Sequence, residues 1–191
     1  YVSSKSKNNI RGYFMQIGID DFEEINGRFG LKCGDEILKQ FSMCMQSCIN
    51  ENQKIYELGN GRFMIMDLAN HSKEDILELY DELKKSVEVA LEENAYRIVY
   101  TISVGIVEID KEIQDYDTLI KYSEFALNEA KKKGKNSCYF FTHDKYKQFI
   151  RRREIRVELQ NAVDHNFKNF DVYYQPIIDI HTRNLIGAEA L

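Results

Sequence analysis

Short apolar runs with strand character alternate with longer stretches of helical periodicity along the first 142 residues. The run at residues 13–19 is mostly apolar and stops at two aspartates, as a buried strand does. At residues 32–50, apolar side chains recur every three or four positions, which predicts an amphipathic helix packed on a sheet. Over these 142 residues, the predicted order of elements is β-α-α-β-β-α-β-α-β. It predicts an α/β (α+β) domain with a central, mostly antiparallel five-stranded sheet flanked by helices.

Turn residues mark the boundaries of several of these elements. Strands at residues 54–58 and 62–68 flank Gly-Asn-Gly at 59–61, which can supply the positive φ angles of a tight hairpin. Residues 96–109 are β-branched and aromatic with an internal glycine, and they predict one long strand or two short ones. A last strand is expected at residues 137–142, after a helix that ends in basic residues and a glycine. The first domain therefore closes near residue 142.

Composition excludes several classes of function. The 191 residues are 43% hydrophobic and 30% charged, with a formal net charge of −5. Such a chain can bury a core, but it lacks the clustered basic face that binds a nucleic-acid polymer. No stretch approaches the roughly 18 apolar residues of a membrane span, and the spacing of the cysteines suits reduced thiols. We expect a cytoplasmic segment without membrane contact, which is compatible with a membrane anchor upstream of Tyr1 in a longer parent protein.

The remainder of the chain predicts a connection and the start of a second domain. Residues 145–166 are strongly charged but keep an apolar stripe in helical register, which indicates a helix that packs on one side only. The residues after it predict two strands, too few to form a core alone. We therefore expect a domain at residues 1–142, a linker helix at 143–168 and a domain fragment at 169–191, within a longer protein.

Three motifs occur in a characteristic order and spacing in the first domain. They are IDDFEEIN at residues 19–26, followed by Gly30 and Gly34-Asp35; LGNGRF at residues 58–63; and ALNEAKKKGKN at residues 126–136. Together they resemble the GGDEF family, the bacterial diguanylate cyclases that join two GTP molecules into cyclic di-GMP. The likeness covers about residues 10–142. It implies the nucleotidyl-cyclase-like fold of that family, in agreement with the predicted element order.

The resemblance implies two metal-binding acids, and this chain has neither of them. A cyclase needs a divalent cation, Mg²⁺ or Mn²⁺, to neutralise phosphates and to lower the pKa of the attacking 3′-hydroxyl. The matching positions are Gly18, near the end of the first strand, and Gly61, in the signature hairpin. That hairpin is degenerate at two further positions as well, and reads Gly59, Asn60, Gly61, Arg62 and Phe63.

Neighbouring acids do not replace the missing pair in this interpretation. Asp20 and Asp21 follow the first strand, but a shift of one or two residues turns a side chain to another face. The family's phosphate-contacting lysine after Phe22 is also replaced, by Glu23. We therefore predict no catalytic residues and no required cofactor. Mg²⁺ or Mn²⁺ would be needed only for a cyclase or EAL activity.

Other family positions are retained and predict a nucleotide site. The family recognises guanine with an Asn and an Asp that match Asn26 and Asp35, and it holds phosphates with basic groups that match Lys131 and Lys135. Phe22 belongs to the same predicted site. A purely structural interpretation also exists, because an acid near a helix start and lysines near a helix end both complement the helix dipole.

The end of the chain is similar to the opening of an EAL domain, the family that hydrolyses cyclic di-GMP. The segments that carry this likeness are YYQPIID at residues 173–179 and GAEAL at residues 187–191. The resemblance implies that Glu189 ligates a metal, but only in a complete EAL domain, and that Gln175 lies on the substrate side. The rest of such a domain would follow Leu191.

These observations favour a cyclic di-GMP signalling protein whose GGDEF domain lacks cyclase activity. It would bind GTP and regulate a C-terminal EAL phosphodiesterase domain, through which the parent protein would meet cyclic di-GMP. One alternative is an active diguanylate cyclase that uses other metal ligands. A second is a dimerisation scaffold that forms a homodimer and binds no nucleotide. The sequence gives no indication of the input signal.

Overall fold

The computed structural model describes residues 11–69, 71–92, 98–109, 113, 115–167 and 170–191. The chain divides into two compact units, with the boundary between Tyr146 and Lys147. The elements that begin in the first unit are, in chain order, β1 (Gly12–Ile19), α1 (Phe22–Phe29), α2 (Leu31–Cys48), β2 (Gln53–Gly59), β3 (Arg62–Asp67), α3 (Lys73–Glu92), β4 (Ile102–Ile109), α4 (Tyr116–Lys132), β5 (Cys138–Phe140) and α5 (His143–Asp164).

The first unit contains a mixed five-stranded sheet in the order β2-β3-β1-β4-β5. Neighbouring strands are antiparallel except β4 and β5, which are parallel. β1 is the central strand, where Ile17 lies opposite Phe63 of β3 and Val104 of β4. The predicted α/β fold with a mostly antiparallel five-stranded sheet is confirmed.

Both faces of the sheet are covered. On β1, Met15, Ile17 and Ile19 belong to a core shared with residues of α1, α2 and α3. Phe14 belongs to a second core on the other face, together with Leu119 of α4. This alternation follows from the period of two along a strand and explains why all eight residues of β1 are buried. The unit is therefore a sheet between two layers of helices.

The predicted bounds of the hairpin turn and of two later strands can be compared with those in the structure. Asn60 and Gly61 form the turn between β2 and β3 with φ angles of 52° and 70°, as predicted. β4 begins at Ile102, because residues 98–101 have no ladder partners; positions 96 and 97 of that predicted strand lie outside the described residues. β5 is shorter than residues 137–142, because only Cys138–Phe140 pair with β4.

The second unit consists of most of α5 followed by two strands. β6 (Tyr174–Ile178) and β7 (Leu185–Ala190) form an antiparallel pair, which is shorter than the two predicted strands at each end. Most of their side chains are exposed, as expected for two strands without a core. Position 168, the predicted end of the linker, and position 169, the predicted start of the domain fragment, lie outside the described residues. Among the helices of the described residues, none combines the length and the apolar sequence of a membrane-spanning segment.

Candidate functional site

A cleft of about 660 Å³ opens beside the end of β1, between α1, the β2–β3 turn and α4. Its volume falls within the range of about 300–1,000 Å³ that is usual for small-molecule sites. Polar and charged side chains make up most of the wall. The lining residues are Gln16, Ile19, Asp21, Phe22, Glu23, Glu24, Asn60, Arg62, Glu124, Leu127, Asn128 and Lys131.

One face of α4 supplies the wall opposite α1. Glu124, Leu127, Asn128 and Lys131 line the cleft, and their spacing of i, i+3, i+4 and i+7 places them on one helix face. Of these four, only Lys131 was named as a site residue from the sequence. The signal for the other three was this spacing, read back along the predicted helix from Lys131.

A buried hydrogen bond holds that face of α4 against β1. The Ser123 hydroxyl donates to Oε1 of Gln16 at 2.8 Å, and both side chains are buried. Gly105 of β4 allows the helix to approach, because a Cβ at this position would overlap the backbone of Ser123 and Leu127. The α4 wall is therefore fixed by backbone packing as well as by a side-chain hydrogen bond.

The space above Gly18 is occupied by the end of the Lys131 side chain. A Cβ added to Gly18 would lie 3.1 Å from Nζ and 3.3 Å from Cε of Lys131, and 3.4 Å from Cδ2 of Leu127. Among the residues that the structure describes, no carboxylate forms an ion pair with this ammonium. A cationic group therefore lies where the resemblance places the first metal-binding acid.

At Gly61, the second position of the missing pair, the ring of Phe22 occupies the space that a side chain would need. Gly61 has a φ of +70°, and a Cβ there would lie 2.7 Å from Cγ of Phe22. The Phe22 side chain is buried, since only 6% of its surface is exposed. A side chain at position 61 would therefore meet both backbone strain and a ring that cannot easily move.

The acids nearest to the end of β1 already have partners. Asp20 is 3% exposed and accepts hydrogen bonds from Thr101 Oγ1 at 2.7 Å, Ser103 Oγ at 2.8 Å and the Asn136 backbone N–H at 3.1 Å. Its carboxylate thus joins the end of β1 to the start of β4 and to the α4–β5 turn. Across the described ranges, no group of three His, Cys, Asp or Glu side chains is placed to hold a metal ion. The residues present do not fit the divalent cation that the family's chemistry needs.

Asp20 and Asp21 should differ sharply in their effect on stability. Asp20→Asn is expected to lower the free energy of unfolding by about 2–3 kcal/mol, because it turns an amide toward three buried or half-buried donors. Asp21→Asn is the matched control and should cost less than about 1 kcal/mol, because it loses only an exposed ion pair. Urea unfolding measures both values. Equal losses would show that the Asp20 hydrogen bonds do not carry this stability.

Two of the basic side chains near the cleft are paired with acids. Lys135 Nζ lies 2.6 Å from Oδ1 of Asp21, and this hydrogen bond raises the pKa of Lys135 above its usual value. Arg62 and Glu124 form an ion pair across the cleft at 3.4 Å. Lys135, predicted to hold phosphate, does not itself line the cleft. Its charge is directed to the end of β1 instead.

The predicted guanine-recognition residues lie at the junction of α1 and α2. Oδ1 of Asn26 is enclosed and has no hydrogen-bond partner among the described residues. It lies against Gly34, where an added Cβ would overlap it. Asp35 is the next residue of α2 and is exposed. Neither Asn26 nor Asp35 lines the cleft, so the structure places Phe22 and Lys131 in it and the two base-recognition candidates apart from it.

The two residues predicted from the EAL-like end of the chain lie together in the second unit. Gln175 of β6 is directly opposite Glu189 of β7 in the antiparallel ladder. Both side chains are exposed. Because residues opposite one another on an antiparallel pair project to the same face, these two side chains share one face of the hairpin.

Comparison with known proteins gives the class of this domain. Residues 2–137 match the family model described as "Diguanylate cyclase, GGDEF domain". The chain therefore belongs to the GGDEF domain family. Its fold is similar to that of the GGDEF domain of PA1120 (TpbB or YfiN) from Pseudomonas aeruginosa, with a TM-score of 0.66 and 20% identity over 73% of this chain and 81% of that one. The GGEEF domain of a diguanylate cyclase from Vibrio cholerae, described as active, is also similar, with a TM-score of 0.60 and 24% identity over 70% and 84% of the two chains.

The curated relatives carry both kinds of name found in cyclic di-GMP metabolism. The chain is 25% identical over 178 residues to the cyclic di-GMP phosphodiesterase NbdA of Pseudomonas aeruginosa, a match that covers 93% of this chain and 22% of the relative. It is 27% identical over 123 residues to diguanylate cyclase A of Treponema denticola, covering 64% of this chain and 33% of the relative. The chain thus spans a third or less of the length of these two relatives.

Proposed function

We propose that the first unit is a guanine-nucleotide-binding regulatory domain of cyclic di-GMP signalling that has no cyclase activity. One observation carries the catalytic part of this proposal. Positions 18 and 61 are glycines and present no carboxylate to a metal ion, and Lys131 and Phe22 fill the space where such side chains would lie. A reaction that depends on metal-activated hydroxyl attack therefore lacks its required groups.

The retained recognition groups support the nucleotide part of the proposal. Asn26 packs its Oδ1 against Gly34 at the α1–α2 junction, and Asp35, the next residue after Gly34, is exposed. Guanine has N–H donors at N1 and N2 that suit a carboxylate such as that of Asp35, and an acceptor at O6 that suits the amide N–H of Asn26. The cleft beside α1 is large enough for a ribose and phosphates.

The regulated partner in this proposal is an EAL phosphodiesterase domain that continues from the second unit. The alignment with NbdA extends over 178 residues, and that with the cyclic di-GMP phosphodiesterase PdeR of Escherichia coli over 170 residues, well beyond the 2–137 match to the family model. The match to NbdA covers 93% of this chain, which is long enough to include part of the segment after α5, and this length supports the proposal. Gln175 and Glu189 would contribute to that domain's substrate side and metal site.

Guanine selectivity is the expected signature of nucleotide binding here. We expect GTP to bind with a dissociation constant in the micromolar range or weaker, and ATP to bind at least about tenfold more weakly. Asp35→Ala should weaken GTP binding by about fivefold or more, because it removes the acceptor for the base. Glu36→Ala is the matched control, since Glu36 is also exposed and is the next residue of α2. Isothermal titration calorimetry measures the affinities of the unmodified chain for GTP and ATP and of the two variants for GTP.

Two results would contradict the nucleotide part of the proposal. Equal affinities for GTP and ATP would show that the base is not recognised by Asn26 and Asp35. Absence of binding by either nucleotide would favour the alternative of a dimerisation scaffold without a ligand, which equilibrium sedimentation of the same protein would then examine.

A further inference from the structure

The Lys131 ammonium differs from the other basic groups near the cleft in its ion pairing. Lys135 is paired with Asp21, and Arg62 is paired with Glu124. Lys131 lines the cleft and has no ion-pair partner in the part of the chain that the structure describes. An unpaired ammonium in a cleft is a group that an anionic ligand can neutralise.

The Lys131 ammonium lies directly over Gly18, the position that matches the family's first metal-binding acid. Because Nζ lies 3.1 Å from the position of a Cβ on Gly18, the charge is held directly over the residue that would otherwise carry a metal-binding carboxylate. A divalent cation placed beside it would meet a like charge, and two of the four acids that line the cleft, Asp21 and Glu124, are already paired with Lys135 and Arg62. Glu23 and Glu24 also line the cleft, but the described residues contain no group of three His, Cys, Asp or Glu arranged to hold a metal ion.

We infer that Lys131 replaces the divalent cation, so that the cleft binds the phosphates of a guanine nucleotide without any metal. This inference rests on the proposed nucleotide-binding function and specifies the ionic form of the ligand. An ammonium offers three N–H donors to phosphate oxygens and needs no carboxylate ligands of its own. The absence of an acid at position 18 and the location of Lys131 are then related: no carboxylate binds a metal ion there, and the ammonium supplies the positive charge instead.

Binding of GTP by the whole chain should therefore not require magnesium. We expect the dissociation constant measured by calorimetry in excess EDTA to be equal to, or up to about tenfold lower than, the value in excess MgCl₂. The reason for any weakening is that magnesium bound to the phosphates competes with Lys131 for the same oxygens and repels its charge.

Three substitutions separate this role from general electrostatic attraction. Lys131→Met keeps an unbranched side chain that is one atom shorter but removes the charge, and it should weaken GTP binding in EDTA by about tenfold. Lys132→Met is the matched control in the same helical turn; Lys132 pairs with Glu129 and does not line the cleft, so it should change the affinity by less than about twofold. Gly18→Asp places a carboxylate within reach of Lys131, and should weaken binding in EDTA while making magnesium favourable.

The outcomes distinguish this inference from the proposal on which it rests. GTP binding by the unmodified chain that strengthens tenfold or more with magnesium would overturn metal-free binding and leave the nucleotide function standing. Equal losses in Lys131→Met and Lys132→Met would also overturn it, because the effect would then be one of net charge. Absence of GTP binding in both EDTA and MgCl₂ would overturn both. Binding in EDTA that is at least as tight as in MgCl₂, and that is weakened or abolished by Lys131→Met but not by Lys132→Met, would support the inference.

Discussion

The protein incubated with GTP and either Mg²⁺ or Mn²⁺ is expected to form no cyclic di-GMP above a heat-denatured control. The physical reason is the absence of carboxylates at Gly18 and Gly61, whose side-chain positions are taken by Lys131 and Phe22. Losing metal activation worth only ~4 kcal/mol would slow the reaction about a thousandfold. Chromatography of the reaction mixture with mass detection measures the product directly.

Restoring the acids provides an informative control for the missing activity. Gly18→Asp is accommodated by a shift of the flexible end of Lys131, but Gly61→Asp would have to adopt a φ near +70° and displace the Phe22 ring. We therefore expect the double variant to remain inactive or to lose stability. Formation of cyclic di-GMP by the unmodified protein at about one turnover per minute would contradict the proposal of a non-catalytic domain and favour a cyclase with other ligands.

The contact between β4 and α4 should tolerate no side chain at position 105. Gly105→Ala is expected to lower the free energy of unfolding by about 3 kcal/mol or more, because the new Cβ would overlap the backbone of Ser123 and Leu127 and force the helix away from the sheet. The same shift would disturb the hydrogen bond between Ser123 and Gln16. Urea unfolding followed by circular dichroism measures the loss.

A second glycine in the same domain serves as the matched control. Gly27 lies within α1, is exposed, and has no atom within 4 Å of the position of an added Cβ. Gly27→Ala should therefore raise stability by about 0.5–1 kcal/mol through helix propensity alone. If Gly105→Ala were as well tolerated as Gly27→Ala, the description of α4 as closely packed on β4 at Gly105 would be contradicted.

The fold could be predicted from the sequence because its signals are local. The period of two in β1, the helical stripe of α2 and the Asn60-Gly61 turn each arise within a few neighbouring residues. The start of β4 was harder, since a β-branched stretch extends before Ile102 but finds no ladder partner there. Pairing decides where a strand begins, and pairing is not local.

The arrangement of the candidate site was predictable only in part. The sequence indicated that Gly18 and Gly61 lack acids, but not that Lys131 and Phe22 fill the vacated space, because those contacts join residues far apart in the chain. The pairing of Lys135 with Asp21 likewise depends on the α4–β5 turn, where Lys135 has a positive φ of 63°. A motif identifies which residues are present; the tertiary structure determines whether their charges remain available to a ligand.

This domain is expected to bind guanine nucleotide without converting it, and recovery of the bound ligand tests that expectation most directly. The protein would be brought to equilibrium with GTP across a dialysis membrane, in excess EDTA and again in excess MgCl₂, and the bound nucleotide, which is the excess on the protein side, would be identified by chromatography after denaturation. We predict that GTP is recovered unchanged from both samples. Recovery of cyclic di-GMP, or of no nucleotide from either sample, would contradict this expectation.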